Sequence, residues 1–122
     1  MANDFKRYTK TNVTTSTGTS ADAVYTVPSA GGTAMETVVI GIYLSNTGTT
    51  GITSSVFLDA FGGVGDDIYV VKDATVPAGS TLEVISGGKL VVQGNGTAND
   101  IIKISSSTAS SLDATVSVLE DV

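Results

Sequence analysis

Short apolar runs recur along this chain, each bounded by Gly, Pro, Asn or Ser clusters. Ala23, Tyr25 and Val27 alternate with polar or small neighbours and stop at Pro28, which predicts a half-buried strand. Thr37 to Leu44 is nearly continuous in apolar character, the pattern of a central strand buried on both sides or held tightly at an interface. Gly41 within it predicts a bulge or a close backbone approach. Further strands are predicted over 52–60, 68–73, 81–85, 89–93, 100–104 and 113–120. The last carries Ala114, Val116 and Val118 on one face, and the 100–104 strand turns Ile102 and Ile104 inward. Turns fall at 45–51, 61–67, 76–80, 86–88, 94–97 and 105–111. The one helical candidate, Ser107–Leu112, is too short and Ser-rich to stand. About eight short strands with turn signals roughly every ten residues predict an all-β fold, an antiparallel β-sandwich of jelly-roll or immunoglobulin-like kind.

The start of the chain follows another pattern. Lys6, Arg7 and Lys10 against Asp4 give the first ten residues a charge of +2, leaving −8 for the rest. Phe5 and Tyr8 flank the basic pair, and a Thr/Ser/Gly run follows from Asn12 to Ser20. This predicts an extended N-terminal arm over residues 1–20 ahead of a sandwich domain over 21–122. Phe5, Lys6, Arg7 and Tyr8 are its candidate partner-binding residues: the aromatics would fill a pocket and the bases would pair with acids around it.

Composition narrows the chemistry. The 122 residues contain no Cys, His or Trp, which removes disulfides, Cys/His metal sites and His- or Cys-based catalytic dyads. Twelve acids against six bases give −6, which argues against nucleic acid as a partner. Charged residues are only 15%, while Ser and Thr make up about a quarter, so the surface is hydroxyl-rich. No signal peptide is recognisable, and the longest apolar stretch falls far short of a membrane span. A soluble protein is expected.

Gly62 to Val70 matches the nonapeptide of calcium-binding β-rolls, with Asp66 and Asp67 as the candidate calcium residues. That site is shared between stacked repeats and only one copy is present, so no metal and no cofactor are predicted. Asp59, Asp66, Asp67 and Asp73 cluster in sequence, but aromatic sugar platforms are scarce and Ser has no base, so no enzyme is predicted. The polar loops at Gly62–Asp67 and Gly94–Asn99 leave a carbohydrate-binding module as an alternative.

Residues 66–93, DDIYVVKDATVPAGSTLEVISGGKLVVQ, and 99–119, NDIIKISSSTASSLDATVSVL, carry a resemblance, as does the opening FKRYTKTNVTTS followed by VYTVP. The chain resembles the small β-sandwich virion structural proteins of tailed bacteriophages, especially those of marine bacteria and cyanobacteria. It departs from them in the Ala30–Met35 turn and in the loop at Gly62–Asp67. The resemblance implies a virion part without catalysis, made in the host cytoplasm. A capsid decoration or cement protein is expected, oligomeric and bound to the major capsid protein. A neck, tail or fibre component is the alternative.

Overall fold

The computed structural model describes residues 3–28, 35–60, 66–85, 87–94 and 97–121. These residues form nine strands and no α-helix. In chain order the strands are β1 (Asn3–Lys10), β2 (Asp22–Thr26), β3 (Met35–Asn46), β4 (Ile52–Asp59) and β5 (Ile68–Val76), followed by β6 (Thr81–Glu83), β7 (Leu90–Gly94), β8 (Ile101–Ser106) and β9 (Leu112–Asp121). Every pairing is antiparallel. One sheet runs β1-β9-β3-β6, with β7 also on β3, and the other runs β2-β8-β4-β5. The two lie face to face as an all-β sandwich. The expected turn before Met35, most of the expected 61–67 loop and the tip of the 94–97 turn lie outside the described residues.

The core fills the space between the sheets. Alternation along β9 puts Leu112, Ala114, Val116 and Val118 inside, opposite Val39, Ile42 and Leu44 of β3. Ile102 and Ile104 of β8, Val56 of β4 and Val76 of β5 face them from the second sheet. Strand β3 is central by pairing, since it bonds β9 on one side and both β6 and β7 on the other. Of the two readings its composition allowed, burial on both faces does not hold. Its burial alternates, and Val38, Ile40 and Tyr43 look outward. The register shift between Val39 and Gly41 is the bulge that the glycine foretold. The Tyr43 ring lies over Gly41, so closely that a Cβ there would stand 2.9 Å from it.

The basic segment is not an arm. Residues 3–10 are strand β1, paired with β9 at every position from Asn3↔Asp121 to Lys10↔Ala114. Val13 is fully buried in the core, so the division at residue 20 falls inside a single packed unit. From Val13, whose N–H donates to Leu112 O at 2.9 Å, the chain passes to the second sheet, where Ser106 N–H donates to Thr14 O at 2.9 Å. A 3-10 turn at Gly18–Ser20 then lies against the outer side of β4 and β8. A bulge between Ala23 and Tyr25 breaks the simple alternation of β2, so Val24 and Tyr25 are both buried while Ala23 is exposed.

Candidate interaction face and the polar cluster behind it

Strand geometry divides the four predicted arm residues into two pairs. Successive side chains on a strand point to opposite faces. Lys6 and Tyr8 are registered with the inward-facing Val118 and Val116, so they face the second sheet. Phe5 and Arg7 are registered with Leu119 and Ser117 and face outward.

The inner pair closes a polar cluster around Glu120, whose side chain is 0% exposed. Its Oε2 accepts from the Tyr25 hydroxyl at 2.8 Å and from the Tyr8 hydroxyl at 3.1 Å. Lys6 Nζ stands 3.0 Å from Oε1 as an ion pair, a contact of charge rather than an aligned hydrogen bond. The Tyr25 hydroxyl also lies 2.9 Å from Thr37 Oγ1, and the Tyr8 and Tyr25 rings meet at 4.9 Å between centroids. Burial pushes the Glu120 carboxyl up, but Tyr25, Lys6 and Tyr8 together outweigh it and hold it below the usual carboxylate range. Burial is also the chief cause that drives the Tyr25 hydroxyl far above its ordinary value and raises that of Tyr8. Glu120 holds the Lys6 ammonium above its ordinary value. This cluster is a fastener: it ties β1, β2, β3 and β9 together through one carboxylate.

The outer pair opens onto an apolar row. Phe5 pairs with Leu119, Leu119 with Val38, and Val38 with Val91. The four lie side by side on the outer face across β1, β9, β3 and β7, a width of about 14 Å at the usual strand spacing. Phe5 is 76% and Val91 52% exposed, and Ile40 at the bulge adds to the same face. Arg7, Glu36 and Glu83 lie exposed around it on β1, β3 and β6.

Other polar groups serve the fold. Lys103 Nζ contacts Asp59 Oδ2 and Thr19 O, each at 2.8 Å, beneath the 3-10 turn. A cleft of about 100 Å³ is lined by hydroxyls, among them Ser54, Ser55 and Ser107, with Asp73 at its wall. Those three hydroxyls are engaged by main chain: Ser54 Oγ donates to Ser105 O, Ser55 Oγ accepts from Asp73 N–H, and Ser107 Oγ accepts from Thr53 N–H. Of the two calcium candidates, Asp67 accepts from Ala60 N–H at 2.8 Å through Oδ1, and Asp66 is exposed. Among the described residues no group of three or more acids is placed to hold a metal ion.

The chain matches no protein family, no curated protein and no solved structure. Its surface therefore has to be read from its own residues. Of the residues on this face the sequence singled out Phe5 and Arg7 but not Leu119, Val38 and Val91, because their alignment is a matter of register. It missed Glu120 for the same reason: Tyr8 and Tyr25 lie 112 and 95 residues away from it.

Proposed function

We propose that this chain is a structural protein of a tailed-phage virion, of decoration or cement type, which docks on the capsid shell through the outer face of its β1-β9-β3-β7 side. The apolar row of Phe5, Leu119, Val38 and Val91 is the observation that carries this reading. Phe5 projects from a strand bonded along its whole length, so little ordering entropy is lost when it seats in a pocket. A contiguous apolar stripe ringed by charge is the usual mark of a protein contact. The resemblance of residues 66–93 and 99–119 to phage virion proteins supports the same direction. In this role the chain turns over no substrate and needs no cofactor. Its partner is the major capsid protein, its place is the assembled particle, and many weak contacts add up through copy number.

Quantitative mass spectrometry of purified particles tests the proposal. Hundreds of copies per particle support a cement role. Tens of copies place the chain in a neck, tail or fibre instead, and its absence from particles overturns the reading. A Phe5→Ser/Val91→Ser variant is expected to fold normally and to lose capsid binding.

A further inference from the structure

Among the described residues the longest regular free sheet edge is that of β1. It is paired with β9 over eight positions without irregularity, and no strand of the described residues lies on its other side. The other edges are short or broken. Strand β2 has five residues and a bulge, β6 three residues and β7 five. Strand β5 is long, but its pairing shifts register twice and Asp73 sits in the left-handed region at φ 53°.

An exposed edge is a template for strand addition, and lysine is the usual guard against it. On β1 the lysine at the middle of the strand is turned from that task, and Lys10 stands at the strand's last position. Lys6 points to the inner face and its charge is engaged by Glu120. Phe5 and Arg7 point to the outer face, so neither blocks the line of the edge.

We propose that a second copy of this chain adds to this edge, β1 against β1, antiparallel about a two-fold axis through Phe5. Such an axis stands perpendicular to the sheet and preserves its faces, so the residue on the axis meets itself. Among the registers that pair five or more residues of β1 with the second copy, charge selects one. An axis through Asp4, Lys6 or Arg7 sets two like charges face to face. One through Tyr8 sets Lys6 against Lys10 of the second copy. With the axis at Phe5, the two phenyl rings meet on the outer face, and Asp4 faces Lys6 of the second copy, twice, on the inner face. Two five-stranded sheets become one of ten strands. The row Val91, Val38, Leu119, Phe5 continues into its symmetric copy and doubles in width. This deepens the docking face proposed above, but the pairing is a property of the purified chain and is tested without any particle.

The chain has no cysteine, so single-cysteine variants read the register directly. Phe5, Arg7 and Thr9 are all exposed, and Cys at each is tolerated by the fold. Under mild oxidation Phe5→Cys is expected to form a covalent dimer at least about tenfold faster than Arg7→Cys or Thr9→Cys. The unmodified chain is expected to sediment as a dimer. Asp4→Lys is expected to weaken that dimer at least about tenfold while the dissociated chain stays folded, as read by circular dichroism of the dilute protein. A monomer at every concentration, equal cross-linking at the three positions, or faster cross-linking through Arg7→Cys overturns the proposal. None of these results depends on whether the chain is found in virions.

Discussion

The Tyr25 hydroxyl of one sheet donates to Oε2 of Glu120 in the other, at 2.8 Å, and neither residue is exposed by more than 2%. A single buried hydrogen bond to a charged acceptor thus crosses the sandwich. Removing the acceptor leaves two phenol hydroxyls and the Lys6 ammonium without their partner. Glu120→Ala is expected to lower the unfolding free energy by about 3 kcal/mol. Glu120→Gln keeps an oxygen acceptor and loses less. Lys6→Ala should lose least, since the side chain of Lys6 is 44% exposed and water can take over part of its role. Urea denaturation of the three variants checks this ranking.

The same cluster gives stability a defined dependence on pH. Glu120 is held below its ordinary carboxyl value in the folded state. The unfolded chain therefore binds the proton more readily. The stabilisation is fully present above the unfolded value of about 4.5 and is lost as pH falls through the folded one. Tyr25 and Lys6 are raised, so their contribution is present below their unfolded values near 10.0 and 10.5 and is lost as pH climbs beyond them. A plateau between these limbs is expected in melting temperature against pH. In Glu120→Gln the acid limb should become shallower.

Lys103 and Asp59 form a second buried pair, at 2.8 Å, with Thr19 O as the third member. Breaking it from one side strands a charge. Lys103→Met alone is expected to cost about 3 to 5 kcal/mol. The double variant Lys103→Met/Asp59→Leu should recover most of that loss, because an apolar pair of similar volume needs no compensating charge. A double-mutant cycle by chemical denaturation measures the recovery.

Gly41 and Tyr43 are expected to be coupled. A methyl at Gly41 meets the Tyr43 ring, which is half-buried and free to swing outward. Gly41→Ala is expected to destabilise by about 1 kcal/mol when Tyr43 is present and by less when Tyr43 is Ala. Equal effects in the two backgrounds would show that the ring does not cover the glycine.

The sandwich was legible because most strands obey period-2 burial. Strand β9 is the clearest case, with Ala114, Val116 and Val118 all inward. Strand β1 was misread because its inward positions are Asp4, Lys6, Tyr8 and Lys10, which carry no apolar alternation. Two of them, Lys6 and Tyr8, meet Glu120, a carboxylate buried at the far end of the chain. For strand β3 the sequence left two readings open, burial on both sides or an interface, and only the first is excluded. Its outward Val38 and Ile40 are as apolar as its core residues, and composition cannot distinguish a second buried face from an exposed sticky one. The outer apolar row was half visible: Phe5 was named with Arg7 as a candidate contact, and the neighbours of Phe5 were set by register alone.

The hydrogen bond from Ala60 N–H to Asp67 Oδ1 pins the two ends of the intervening segment at 2.8 Å, whatever that segment contains. The entropy of closing a loop rises only slowly with its length, by about 0.6 kcal/mol for each doubling. Foreign epitopes spliced between Ala60 and Asp67 would therefore be borne on a stable platform, which makes this small protein a natural frame for peptide display.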